Sequence, residues 1–230
     1  MAIFKKMLNI FRSKKSSDRP ELISLKGGQE QVELVKVDQA FCVKGNRKLV
    51  RRQLGCRGFL IVSISGLEKD HGILTLLKAF NLLVNKRASS NILLLITHCE
   101  AENLHQDKSW PNDPEVLKLL GGLENRVKFF GPQSKERLAT LFSAATVTVV
   151  PYQKEQAILE AQACGSPVIT DQRVEPNLVL DGETGLLVTD DSEDLALAME
   201  AIIKNEVLAK RMGKQAAVRM KRLSGQAVST

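Results

Sequence analysis

The sequence is poor in the residues that build metal sites, disulfide frameworks and nucleic-acid surfaces. Its 230 residues include four cysteines and three histidines, without a CxxC pair or a histidine at ligand spacing. Neither a zinc site nor a disulfide framework is therefore expected, and reduced thiols are typical of a cytoplasmic protein. Aromatic residues make up 4% of the chain, which is too few for a surface that interleaves aromatic and basic side chains to bind nucleic acid. We expect no metal and no nucleic-acid partner.

Long hydrophobic runs are also absent from the sequence. No apolar stretch reaches the roughly 20 residues that a membrane-spanning helix needs. Lys5, Lys6 and Asn9 interrupt the first residues, where a signal peptide would have an unbroken apolar region. With 43% hydrophobic and 26% charged residues, the composition is that of an ordinary globular domain.

The positive charge is concentrated at the amino terminus. Residues 1–20 contain six basic residues against Asp18, a charge of +5, so +2 of the total of +7 remains for the other 210 residues. On a helix, six of these first residues form one apolar arc and the basic residues fall on the other side. The side chains expected to contact a membrane are Ile3, Phe4, Lys5, Lys6, Met7, Leu8, Phe11 and Arg12.

A basic amphipathic helix at residues 1–20 can lie in a membrane surface. Its apolar face enters the headgroup boundary and its basic side chains meet anionic lipid, each contributing roughly 1 kcal/mol. The same helix could instead pack on its own domain or on a partner protein, or have no binding role. We expect a cytoplasmic protein that associates peripherally with an anionic membrane, with a flexible linker at residues 21–34 and a polar tail at residues 224–230.

From residue 59 the chain alternates short apolar runs with amphipathic stretches, which predicts βα units around a parallel sheet. The fold class is therefore α/β, with a doubly wound Rossmann-like sheet. The predicted strands are 59–64, 91–97, 126–130, 147–150, 167–170 and 185–188, and the predicted helices are 71–86, 114–120, 134–144, 156–164, 192–204 and 206–223. Such sheets bind ligands at the carboxyl ends of their strands, here residues 65–72, 97–105, 131–135, 151–156 and 171–177.

Several motifs in register resemble one family. In order along the chain they are VDQAF at 37–41, NRKLVRRQLG at 46–55, Gly131 after RVKFF, residues 141–151, LEAQACGSPVI at 159–169 and DGETGLLV at 181–188. Together they resemble the donor-binding, carboxyl-terminal domain of family-4 glycosyltransferases, which have the GT-B fold. The resemblance covers residues 35–223 and implies a single GT-B half-domain, with a nucleotide-sugar as the possible ligand and no other cofactor.

Much of the family's donor site is missing around this scaffold. The family stabilises the leaving diphosphate with an Arg and a Lys in a loop after the first strand, because fixed cations lower the cost of the growing negative charge. Here Gly66 stands at the Arg position and His71 at the Lys position. The resemblance also implies glycine turns, which here read Thr97-His98-Cys99 and Arg173-Val174-Glu175. His71 and Arg173 remain candidates for a phosphate-facing cation, with a satisfied loop residue and a solvated surface residue as the respective alternatives.

The family has a pair of acidic residues in its donor site, and this sequence matches one of the two positions. Glu160 matches the carboxylate that holds the ribose hydroxyls, although it could also be a helix residue without a ligand. Three residues are missing from the loop before it, so the counterpart of the carboxylate that contacts the donor sugar is either absent or is Glu155. No residue can be assigned a catalytic role from the sequence.

A complete GT-B enzyme has a second domain that binds the acceptor, and this sequence has no room for it. Two hypotheses follow. The chain is a non-catalytic sensor or interaction module at a membrane surface, or it is the donor-binding subunit of a split glycosyltransferase that a separate acceptor-domain chain completes. A decayed enzyme fragment is a third reading.

Overall fold

The computed structural model describes residues 37–43, 45–65, 72–86, 91–99, 114–151 and 154–225, with the side chains of residues 98 and 99 left out. The predicted amphipathic helix, the linker and most of the polar tail lie outside these residues. The strands are β1 Phe59–Ile64, β2 Ile92–Cys99, β3 Val127–Gln133, β4 Val147–Val150, β5 Val168–Asp171 and β6 Gly185–Val188. The helices are α1 Arg47–Gln53, α2 Ile73–Lys86, α3 Pro114–Leu120, α4 Lys135–Ala144, α5 Glu155–Ala163, α6 Ser192–Lys204 and α7 Glu206–Leu223.

All six strands form one parallel sheet in the order β3-β2-β1-β4-β5-β6. This is the order of a doubly wound Rossmann-type sheet, so the predicted fold class is confirmed. The order reverses between β1 and β4, which pair through Ile61 with Val147 and Ser63 with Val149. Within the described ranges, no helix combines the length and the hydrophobicity needed to cross a membrane.

Side chains alternate between the two faces of the sheet, as the pleat of a strand requires. In β1, Ile61 packs in a core layer with α2 and α6, whereas Leu60 and Val62 pack in the opposite layer with α4 and α5. Each layer contains a fully buried aromatic side chain, Phe80 in the first and Phe142 in the second. Strands covered on both faces explain why their sequences are almost continuously apolar.

The helix boundaries follow from local capping. Asn46, Ser134 and Asp191 accept hydrogen bonds from backbone N–H groups in the first turns of α1, α4 and α6, which satisfies donors that have no partner inside the helix. At the end of α5, Gly165 has a φ of +73°. That left-handed conformation favours glycine and turns the chain into β5, as the LEAQACGSPVI run predicts.

The second and third strands are longer than predicted. β2 runs to Cys99 and pairs with Pro132 and Gln133 of β3, after an irregularity between Ile96 and His98. The Thr97 hydroxyl donates to the Gly131 carbonyl oxygen at 2.9 Å. The turn expected at residues 97–99 is therefore strand, because this stretch has no glycine to favour the left-handed backbone of a tight turn.

The DGETGLLV run forms the turn into β6. Asp181 accepts a hydrogen bond from the Leu187 N–H and Thr184 accepts one from the Leu180 N–H, both at 3.0 Å. Gly185 lies so close to β5 that a Cβ atom there would be 2.0 Å from the Val168 carbonyl oxygen. Backbone pairing of β5 and β6 thus requires glycine at this position.

Replacing Gly185 with alanine is expected to lower the free energy of unfolding by about 3 kcal/mol, because the new methyl group meets backbone that cannot move aside. Gly131→Ala is the matched control, since a Cβ atom at Gly131 has no neighbour within 4 Å; it should change stability by about 0.5 kcal/mol or less. Urea denaturation of both variants measures the difference. Equal stabilities would contradict the close approach of β5 and β6.

Candidate functional site

The carboxyl ends of β1 and β4 define the crevice where a ligand would bind. The helix that follows β1, α2, lies in one layer, whereas α5 after β4 lies in the opposite layer. Their connecting loops diverge at this point, and a crevice opens between them. The predicted site loops 131–135 and 171–177 lie at the same edge of the sheet.

The loop after β1 ends at Gly72, just before α2, and there it lies close to Pro151 in the loop after β4. Gly72 has a φ of +73°, and a Cβ atom there would be 2.8 Å from the Pro151 Cβ and 3.2 Å from its carbonyl oxygen. A side chain at this position would push the two loops apart, so glycine keeps the crevice narrow. Gly66 and His71 lie outside the described residues, and their assignment to the donor site stays a prediction.

Glu160 is a buried carboxylate on α5. Glu160 is only 8% exposed, and its Oε1 accepts a hydrogen bond from Gln156 Nε2 at 3.0 Å. Burial raises the pKa of the carboxyl group, whereas the Gln156 hydrogen bond and the charge of Lys135 act in the opposite direction. An ionised carboxylate here would benefit from further hydrogen-bond donors, such as a pair of hydroxyl groups.

An ion pair beside Glu160 joins two distant parts of the chain. Lys135 Nζ lies 2.7 Å from Asp38 Oδ2, so the entry segment is tied to the start of α4. Asp38 also influences Glu160 electrostatically and raises the pKa of its carboxyl group. Asp38 lies within the VDQAF run, but no local sequence pattern pairs it with a lysine 97 positions away.

Glu155 occupies a different surface from Glu160. It is the first residue of α5 and is exposed. Five helical positions separate the two carboxylates by about 140° around the helix axis. Without a bend in the helix they do not share one face, and contact between Glu155 and a donor sugar stays a prediction.

Arg173 is already engaged by carboxylates. Its guanidinium group donates to both oxygens of Asp171, from Nε at 2.9 Å and from Nη2 at 2.5 Å, and Nη2 also lies 3.0 Å from Asp190 Oδ2. Burial alone would raise the pKa of the Asp171 carboxyl group, but the hydrogen bonds and charge of Arg173 outweigh it and hold that pKa below its ordinary value. Two carboxylates and one guanidinium leave the cluster net negative, which disfavours phosphate.

A cavity of about 10 Å³ lies at the carboxyl ends of β4, β5 and β6, between α2 and α6. It is lined by side chains of both helices and by Pro151, Asp171 and Asp190. Its volume is about what one water molecule needs. Within the part of the chain that the structure describes, no group of three His, Cys, Asp or Glu side chains could hold a metal ion.

Two comparisons of sequence place the chain among known proteins. Residues 48–219 match the family described as glycosyl transferases group 1. The chain is 30% identical over 187 residues to a D-inositol 3-phosphate glycosyltransferase of Corynebacterium jeikeium, an alignment that covers 77% of this chain and 43% of that protein. A relative with the same name from Corynebacterium efficiens is 29% identical over 84% of this chain and 47% of that protein. The chain spans about half the length of these curated relatives.

Solved structures show the same architecture. The carboxyl-terminal domain of a group 1 glycosyl transferase from Francisella tularensis superposes with a TM-score of 0.69 and 17% identity, over 83% of this chain and 99% of that domain. Sucrose-phosphate synthase from Thermosynechococcus elongatus is 27% identical with a TM-score of 0.62, over 80% of this chain and 46% of that one. The Anabaena protein HepE, solved in complex with UDP and glucose, is 21% identical with a TM-score of 0.65, over 84% of this chain and 52% of that one. The predicted family is confirmed: the chain belongs to the glycosyl transferases group 1, and the residues described form one half-domain of the GT-B fold.

Proposed function

We propose that this chain is a non-catalytic member of its family that uses a donor-binding domain as a sensor or interaction module at a membrane surface. The observation that carries this proposal is the state of Arg173, whose guanidinium group is bound by Asp171 and Asp190. Gly66 and His71 stand where the family places its phosphate-binding Arg and Lys. The site thus offers poor support for a departing diphosphate.

The chemistry of sugar transfer explains why these changes matter. As the bond to the donor phosphate breaks, negative charge accumulates on the phosphate oxygens, and fixed donors or cations must already point at it. Removing one such group from an enzyme costs on the order of 10²–10³ in rate. To turn its Nε and Nη2 donors toward a phosphate, Arg173 would have to leave two carboxylates, one of which, Asp171, is 3% exposed. Leaving Asp171 buried without its partner would be unfavourable.

The membrane part of the proposal is supported by the sequence of residues 1–20. Six basic residues and an apolar arc fit the composition of helices that lie in the interface. The predicted linker, residues 21–34, would span up to about 45 Å when fully extended. It would connect the domain to the membrane-bound helix over that distance. The domain would then be held near the membrane without inserting into it.

Phe11→Glu is expected to weaken binding to vesicles of phosphatidylserine and phosphatidylcholine by more than tenfold, because it places a charge on the apolar face of the predicted helix. Asn9→Glu is the matched control, since it adds the same charge on the polar face and should weaken binding only by about fivefold. Vesicle sedimentation of the full chain measures both. Equal binding by the wild type and Phe11→Glu would refute insertion of this face.

The second candidate function is a donor-binding subunit that a separate acceptor domain completes. Glu160 favours it, because this carboxylate keeps the family position and, among the residues described, its Oε1 accepts a hydrogen bond from Gln156 alone. The relatives are glycosyltransferases, and HepE was solved with UDP and glucose. UDP-glucose is therefore the first ligand to test, followed by GDP- and ADP-sugars.

If the chain is a donor subunit, isothermal titration should show saturable binding of a nucleotide-sugar that Glu160→Gln weakens about tenfold. Ribose hydroxyls donate to an ionised carboxylate, so wild-type affinity should fall as the pH drops through the raised pKa of Glu160. The glutamine variant should lose this pH dependence. No heat with any nucleotide-sugar would eliminate the donor-subunit function and leave the interaction module.

A further inference from the structure

A basic groove lies at the amino ends of the strands, opposite the carboxyl ends where the donor site is expected. It has a volume of about 360 Å³ and lies where β1 and β4 begin, between α1 and the first turns of α7. This volume is in the range of small-ligand sites. The groove is lined by Asn46, Arg47, Lys48, Arg51, Phe59, Thr146, Glu206, Ala209 and Lys210.

Two arginines of α1 line this basic groove and bind the end of α4. Arg51 donates from Nε to the Ala144 carbonyl oxygen at 2.7 Å, from Nη2 to the Thr146 hydroxyl at 3.0 Å and from Nη1 to the Gly58 carbonyl oxygen at 3.2 Å. Arg47 donates to the Ala145 carbonyl oxygen. These contacts fix both guanidinium groups in place, because the carbonyls at a helix end are unpaired and carry partial negative charge.

The carbonyl contacts do not neutralise the arginines. Burial lowers the pKa of Arg51, whereas the nearby charge of Glu206 acts in the opposite direction and favours its charged form. In the described part of the chain, neither Arg47 nor Arg51 has a carboxylate within 4 Å, and Glu206 forms its ion pair with Lys210 at 3.5 Å. Four cations and one carboxylate thus give the groove a charge of +3. Burial and the neighbouring charge of Arg51 lower the pKa of Arg47.

Arg47 has an unused donor in this setting. Its Nε is buried and has no hydrogen-bond partner among the described residues. Buried donors are normally satisfied, and an unsatisfied one costs roughly 1–3 kcal/mol. The described contacts thus leave Arg47 incompletely satisfied beside a groove with an excess of positive charge.

We propose that the basic groove is a binding site for a phosphate group, either of a soluble metabolite or of a lipid headgroup. Arg47 and Arg51 supply positive charge at fixed positions, and the exposed Lys48 and Lys210 add charge and hydrogen-bond donors at the rim. A compact groove at the end of one strand pair suits a single phosphate group better than an extended acidic peptide. The site is independent of nucleotide-sugar binding at the other edge.

The test is an amide NMR titration of the full chain with inorganic phosphate at constant ionic strength. Saturable shifts are expected at Arg47, Arg51 and Thr146. Lys48→Gln should weaken binding about tenfold, since it removes an exposed rim charge without touching the contacts to α4. Lys118→Gln, which removes an equally exposed charge on α3, should change the affinity less than twofold, and Arg47→Gln provides a second variant inside the groove.

Vesicles identify the source of the phosphate. If phosphatidic acid in phosphatidylcholine vesicles binds the wild type at least fivefold more tightly than Lys48→Gln, with Lys118→Gln as the reference, the ligand is a lipid headgroup. Equal vesicle binding together with tight inorganic phosphate binding assigns a soluble ligand. The proposal is overturned if phosphate gives no saturable shifts in the groove, if Lys48→Gln and Lys118→Gln bind phosphate equally, or if polyglutamate binds there more tightly than phosphate.

Discussion

The pairing of β1 with β4 holds the two halves of the sheet together and positions both of its clefts. It joins the two halves of the sheet through Ile61, Val62 and Ser63, and the chain leaves the two strands toward opposite layers. Polar side chains reinforce the junction, since Ser63 donates to the Val149 carbonyl oxygen at 2.8 Å inside the core. The crevice at the carboxyl ends and the basic groove at the amino ends are both consequences of this one strand pair.

The cations at the carboxyl ends of the strands and those at the amino ends contact different kinds of groups. At the carboxyl edge, Arg173 and Lys135 are bound to carboxylates. At the amino edge, Arg47 and Arg51 are bound to carbonyl dipoles, which hold a guanidinium group in place without cancelling its charge. Among the residues described, the excess of positive charge therefore lies at the amino ends of the strands, where an anion would be favoured.

Much of the fold could be predicted from the sequence because its signals are local. Apolar runs, Gly165 at the end of α5 and capping residues such as Ser134 each act within a few positions. The extension of β2 to Cys99 was missed, since it depends on pairing with β3. The ion pair of Lys135 with Asp38 and the contacts of Arg51 with the end of α4 join residues more than 90 positions apart, and no local pattern reports such contacts.

We proposed that the carboxyl ends of the strands give a diphosphate little support, and the affinities of the chain for UDP and for uridine measure that support. Methyl NMR at Ile64 and Val150, which lie at that edge, would follow the crevice without interference from the basic groove. A diphosphate that adds less than about threefold to the affinity, or no binding of either compound, is the expected result. Binding of UDP more than about tenfold tighter than that of uridine would mean that this end of the sheet does stabilise a diphosphate, which rules the proposed loss of donor chemistry out.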